Sequence, residues 1–502
     1  MNTKITKQRV NKDFIKLKEL AKKCYDKKDY YQTLSTIETA SKLMYAFNIS
    51  YTDDDMEEML SNIAYEVLKS NTRKIPPNNG RKIILYDFFA MDNRGLTQQY
   101  IMALIDLDYE ILFITYQRDS MKQSEQIFLQ LKLYKKAQIY TIKNKEYIES
   151  SKEMYNVIKK FGATKALIHT SPWDVVGIMT FSYLTEVERY LINLTDHAFW
   201  LGKCCSDYIL EFRSYGYNIS KNYRNIKEEK LMLLPYYPVQ DLTIPFEGFP
   251  FDTIGKKVIF SGGAVYKIYG SNIFFDTIKH IVEKHDDTIV MYAGGGNTKP
   301  FKNFIVNNHL EKRVFLISER KDISQIFKNC YFYLGTYPLC GGLMTQYAVA
   351  NNKIPIAFAD EKIKCNFIES LFINVKNRVL TYTKLKKYYD TIDKLIDEPK
   401  YKNELENNLN DLIITRAEFA ENLLSSLEKK STKFSFIKYD IDINEFSNLY
   451  FKMENDYLHN YYSIFIGSRN VKLILKFMNI HLLNVLIKTI INKLIKKLTK
   501  KL

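Results

Sequence analysis

The sequence is first informative for what it lacks. None of its six cysteines, Cys24, Cys204, Cys205, Cys330, Cys340 and Cys365, stands in a CxxC pair, and no His/Cys cluster has zinc spacing. Scattered thiols in a large chain imply reduced cysteines, not a disulfide framework, and no metal site or resident cofactor is expected. No uninterrupted apolar run reaches the roughly 18–20 residues that span a bilayer. The opening stretch, MNTKITKQRVNKDF, has no apolar core, so no secretory signal is expected and the protein is expected in the cytoplasm. Neither GxGxxG nor GxxxxGKS/T follows a predicted strand, which argues against nicotinamide oxidoreductases and P-loop ATPases. After Asp456 there is no acidic residue at all.

What is present fits a large globular protein with an anionic partner. A chain of 502 residues exceeds one hydrophobic core. Its net charge is +16, with the excess concentrated at the C-terminus. Phe14, Leu17, Leu20, Ala21 and Tyr25 recur at helical spacing, Tyr31 to Tyr45 repeats the pattern, and Asp53–Asp55 mark the start of a third helix ending near Leu68. A linker, Ile75 to Gly80, precedes a run of predicted strands at Lys82–Asp87, Tyr109–Thr115, Ala137–Ile142, Ala166–His169 and Tyr190–Leu194. After the Pro-punctuated stretch from Pro235 to Pro250, a second series begins: Lys257–Ser261, Thr288–Tyr292, Val314–Ile317, Tyr331–Leu334 and Ile354–Phe358. Strands alternating with helices predict parallel, doubly wound sheets. The expected class is therefore α/β, with two Rossmann-like domains. The expected divisions are 1–75 (helical module), 80–240 (first Rossmann-like domain), 250–430 (second Rossmann-like domain) and 435–502 (basic helical tail).

Four loops of the second domain follow predicted strands, where open α/β sheets bind ligands. They contain Gly262 and Gly263, then Gly294 and Gly295, then Arg320, then Tyr337, Pro338, Gly341 and Gly342, with Gln346 on the helix that follows. Glycine allows backbone to approach a phosphate, and a helix start presents free N–H groups. Lys267 and Arg320 are the candidate cations for a diphosphate.

The segment Gly335 to Pro355, GTYPLCGGLMTQYAVANNKIP, is similar to a signature of GT-B glycosyltransferases, in which a Gly-rich turn opens a helix and leads to a proline-bearing strand. Residues 255–425 resemble the donor domain of that family. The resemblance implies a nucleoside-diphosphate sugar, UDP-linked by expectation, held by this turn and helix. Retaining members carry two glutamates eight positions apart here. This chain has Pro338 and Gln346, so it is more similar to the inverting branch, which includes protein glycosyltransferases of the O-GlcNAc transferase and high-molecular-weight adhesin types.

Inversion needs one base to take the acceptor proton. Asp196 and His197 follow the fifth predicted strand of the first domain, and a His beside a carboxylate can serve near neutral pH. Asp92, Asn93 and Arg94, after the first strand, and Trp173, after the fourth, are the acceptor-side candidates. In the tail, Lys472, Lys476, Lys488, Lys493, Lys496, Lys497, Lys500 and Lys501 alternate with Ile, Leu and Val. That is the pattern of an interfacial helix, and residues 466–502 are expected to lie peripherally on an anionic membrane; no nucleic-acid motif accompanies the charge. The expected function is a hexosyltransferase, inverting, moving sugar to a lipid-linked glycan in surface polysaccharide assembly. The alternatives are a protein acceptor, or a non-catalytic GT-B adaptor at the membrane. A UDP-sugar 2-epimerase would share the fold but has no use for the basic tail.

Overall fold

A computed structural model of the chain describes residues 4–69, 80–92, 96–116, 124–375 and 378–499. Two parallel sheets form its frame. The first contains β1 (Lys82–Asp87), β2 (Glu110–Tyr116), β3 (Ala137–Ile142), β4 (Lys165–His169), β5 (Glu188–Asn193), β6 (Tyr208–Glu211) and β7 (Leu231–Leu233), in the order β3-β2-β1-β4-β5-β6-β7. The second contains β8 (Lys257–Gly262), β9 (Thr288–Ala293), β10 (Val314–Ile317), β11 (Phe332–Leu334), β12 (Pro355–Phe358) and β13 (Thr381–Tyr382), in the order β10-β9-β8-β11-β12-β13. The strand order reverses beside β1 in one sheet and beside β8 in the other. That switch point opens a crevice at the carboxyl ends of the strands. The sequence reading misses β6, β7 and β13, which have only four, three and two residues.

Continuous apolar runs such as Ile83-Ile84-Leu85 are buried on both faces, as parallel strands require. Three N-terminal helices, Lys7–Asp26, Tyr30–Phe47 and Asp54–Leu68, cover one face of the first sheet. Each starts on a side-chain cap: Thr6, Asp29 and Asp53 accept from the backbone N–H of Arg9, Gln32 and Met56. The opposite face is covered partly by the helix Arg416–Lys429, through Phe419, Leu423 and Leu427. The expected boundary at residue 430 assigns that helix to the second domain, but its apolar side lies on the first sheet. The chain thus returns to the first domain after completing the second.

The tail corrects another expectation. Leu473, Phe477 and Leu482 are buried in the same core as the N-terminal helices, and the Phe465 and Phe477 rings stack at 4.8 Å. Residues 466–482 therefore pack onto the protein, and the free amphipathic element narrows to the helix Ile480–Thr499. That helix exposes Ile480, Leu483, Ile487, Ile490, Ile491 and Ile495. Lys501 and the side chains of Lys493, Lys496, Lys497 and Lys500 lie outside the described residues. Among those described, no helix is long and apolar enough to cross a membrane.

Candidate functional site

The Gly-rich loops converge at the carboxyl edge of the second sheet. Gly263 N–H donates to Ala293 O at 2.9 Å, Val265 N–H to Gly295 O at 3.0 Å, and Gly294 N–H to Ile317 O at 3.1 Å. A Cβ on Gly294 would stand 1.9 Å from Gly263 O, so this glycine is required by loop-on-loop packing. Gly263, at φ +132°, instead faces open space. Gly262 sits tight against Ala293 O, Gly295 approaches Glu319, Gly341 lies near Thr336, and Gly342 starts the helix Gly342–Ala350.

The two candidate cations differ. Lys267 is part-buried, and its ammonium has no ion pair or hydrogen bond among the described residues. Loss of hydration lowers its pKa from the usual lysine value, partly opposed by Cys340. Arg320 is committed elsewhere: its Nε donates to Asp322 Oδ1 at 2.7 Å and its Nη1 to Gly248 O at 3.0 Å, with Glu247 at 3.3 Å. Its fork fixes the interdomain linker, so the expected diphosphate contact would require breaking a bidentate ion pair. Two other donor candidates are also structural. The Tyr337 hydroxyl donates to Asp360 at 3.1 Å, and the buried Gln346 amide donates to Leu371 O at 3.1 Å. Pro338 follows a cis peptide bond, and its carbonyl accepts from Asn366.

Across the crevice, Asp196 is fully buried. It accepts a fork from Arg213, Nε to Oδ2 at 2.5 Å and Nη2 to Oδ1 at 3.0 Å, and lies 3.3 Å from His197 Nδ1. Burial alone would raise its pKa, but the charge of Arg213 and hydrogen bonds from His197 and Arg213 hold it well below the usual carboxylate range. The third guanidinium nitrogen, Nη1, crosses to the second domain and donates to Cys365 O at 3.0 Å. A cavity of about 750 Å³ opens beside this bridge, lined by Arg213, Glu369, Phe434 and Tyr439 among others. From sequence the segment Glu211 to Gly216, which holds Arg213, reads as a packed helix end, with a hinge or phosphate contact as the alternative; the bridge itself is not legible there, because its two partners come from different domains.

His197 is only part-exposed because a strap covers it. Between residues 434 and 458 the chain runs through the crevice. Ile437 N–H donates to Ser214 Oγ, Asn218 donates to Ile437 O, and Tyr223 donates to Ile441 O. The helix Ile443–Met453 follows. Its Phe446 and Tyr450 rings lie 6.0 and 5.9 Å from the His197 ring, and Lys452 donates to Gly270 O of the second domain.

The remaining acceptor-side candidates separate. Asp92 accepts from the backbone N–H of Gln126 and Ile127, so it caps the helix Glu125–Leu133. Asn93 and Arg94 lie outside the described residues. Trp173 lines a cavity of about 720 Å³ at the carboxyl edge of the first sheet, together with Asp174, Tyr116 and Glu38. Burial raises the Asp174 carboxyl to about 7, although Tyr86 and the Gly177 and Val176 N–H groups oppose the shift. Sequence reading also passed over Asp87 and His169, at the ends of the adjacent strands β1 and β4. Their side chains meet at 3.1 Å, and Thr97 donates to the other Asp87 oxygen. The parallel register pairs the two positions, but from sequence both read as strand residues.

No protein-family model and no curated protein matches the chain. Solved structures do. HepE of Anabaena, in complex with UDP and glucose, superposes with a TM-score of 0.52 at 12% identity, covering 69% of this chain and 99% of that one. A glycosyltransferase from Rickettsia africae ESF-5 superposes with a TM-score of 0.51 at 10% identity, covering 70% of this chain and 99% of that one. The chain has the GT-B fold, with two Rossmann-like domains meeting at a crevice. The N-terminal helices and the tail are built around that frame.

Proposed function

We propose that the protein is a glycosyltransferase that takes a nucleoside-diphosphate sugar, UDP-linked by preference, at the carboxyl edge of the second sheet. The observation that carries this reading is Lys267, a part-buried and unpaired cation three residues beyond the Gly263–Ala264 turn, in a fold shared with a protein solved with UDP and glucose. A dehydrated ammonium gains more from a diphosphate than a solvated one does. Gly263, in the turn before it, faces open space. His197, oriented by Asp196, is the acceptor-side base of an inverting transfer. The exposed apolar face of Ile480–Thr499, in a stretch without acidic residues, favours a lipid-linked glycan at an anionic membrane surface and a role in surface polysaccharide assembly.

A second reading, a non-catalytic adaptor, is supported by one feature: Phe446 and Tyr450 lie on His197, and their strap fills the crevice on its side. Purified protein incubated with a panel of nucleotide sugars separates the two. The transferase reading expects UDP or another nucleoside diphosphate to be released from one donor, faster with acceptor present. Tight donor binding without any release would favour the adaptor. No binding of any nucleotide would end both donor-site assignments.

A further inference from the structure

The cavity of about 720 Å³ on the first domain is assembled from three separate parts of the chain. The ends of β2 and β3 supply Tyr116, Lys143 and Lys145, and the turn after β4 supplies Trp173 and Asp174. The second N-terminal helix supplies Glu38, and the folded part of the tail supplies Arg469. The tail and the helical module therefore build a concavity that the Rossmann-like frame alone would not have.

Its charges are unevenly satisfied. Glu38 is paired with Lys42 and accepts from the Tyr147 hydroxyl. Asp174 accepts from the Tyr86 hydroxyl at 2.6 Å and from Gly177 N–H at 2.9 Å. Lys143, Lys145 and Arg469 are all exposed at the cavity, and none has a side-chain ion pair or hydrogen bond among the described residues. The acids are thus already satisfied inside the protein while three cations are left for a ligand. The Trp173 and Tyr116 rings line the same cavity, apolar surfaces of the kind a sugar ring lies against.

We infer that this cavity binds a sugar residue carrying an anionic group, a carboxylate or a phosphate, with the ring against Trp173 and Tyr116 and the anion among Lys143, Lys145 and Arg469. The cavity also lies close to the crevice. Trp173 is 5.3 Å from the Tyr45 ring, the helix that carries Tyr45 meets Ile443–Met453 through the Phe47 and Phe451 rings at 5.2 Å, and Tyr450 on that second helix lies 5.9 Å from the His197 ring. That the bound saccharide is the acceptor rests on the transferase reading; that the cavity binds it does not.

Tryptophan fluorescence of the full chain is a suitable readout, because the only other tryptophan, Trp200, is buried at 3% exposure. Glucuronic acid and glucose 6-phosphate should change the emission saturably. Glucose and inorganic phosphate should do so about tenfold more weakly or worse, since a charge-assisted contact is worth about that factor or more. The K143A/K145A/R469A variant should lose the preference for the anionic sugars, and W173F should lose the signal. An equal response to glucose, or to phosphate alone, would overturn the inference, as would an unchanged preference in the triple variant. UDP affinity measured on the same samples keeps the two ideas apart: its absence from the wild-type chain would sink the donor site and leave the cavity result standing.

Discussion

Arg213 grips Asp196 with two nitrogens, at 2.5 and 3.0 Å, and with its third reaches the carbonyl of Cys365 in the other domain. One guanidinium therefore neutralises the carboxylate beside His197 and also joins the two Rossmann-like domains. Only arginine can do both, because its planar fork presents donors in two directions.

Removing that guanidinium leaves a buried carboxylate without its counter-charge. Arg213→Ala should lower stability by about 3–5 kcal/mol, the usual result of breaking a buried pair from one side. Urea denaturation measures it; a loss under 1 kcal/mol would mean that Asp196 is solvated or protonated. The pH dependence has a definite sign. The folded-state pKa of Asp196 is depressed, so its contribution is complete above the unfolded value of about 3.9 and is lost as pH falls below it. Asp196→Asn should therefore flatten the acid limb of the stability curve and leave its slope above pH 6 unchanged.

Lys267 and Arg320 looked equivalent as cations after strands, yet they should respond differently. Lys267→Ala should weaken UDP binding by roughly 1.5–3 kcal/mol, the scale of a hydrogen bond to a charged group. Arg320→Ala should leave UDP affinity alone and lower the melting temperature, because it frees Asp322 and the linker at Gly248. Calorimetry and thermal melts on the two variants decide it, and the reverse pattern would exchange their roles.

That pair also shows what the sequence can carry. Strand positions, the two sheets and the glycine loops were legible because apolar periodicity and turn chemistry are local. Whether a cation is free depends on what folds against it, and Glu247 and Gly248 reach Arg320 from more than seventy residues away in sequence. The same limit hid the Asp87–His169 contact, the strap over His197, and the part of the tail that packs. Lys472 and Lys476 fit an interfacial pattern, yet Leu473 and Phe477, each next in sequence to one of them, are buried against the N-terminal helices.

His197→Ala should reduce turnover by about 10²–10⁴ while UDP affinity survives, the range for loss of a positioned base. Single-turnover assays with saturating donor isolate that step. Normal turnover would move the base to another group, with the buried Asp87–His169 pair next to be replaced.

The tail gives the last prediction, and the structure fixes where to cut. A chain ending at residue 479 should keep its fold at the cost of one buried side chain, Leu482, and lose liposome binding, because it removes the helix that exposes Ile480, Ile487 and Ile491. A chain ending at residue 466 should do worse, since it also strips Leu473 and Phe477 from the core. Each such side chain contributes about 1.5–3 kcal/mol when fully buried, so this chain should melt well below the full one. Binding of the full chain to anionic vesicles should weaken as salt rises, because exposed charge is screened beyond about 8 Å at physiological ionic strength. The apolar face should leave a salt-resistant remainder on neutral lipid. If the chain ending at 479 still sediments with anionic vesicles, the contact lies elsewhere on the surface and the helix Ile480–Thr499 has another partner.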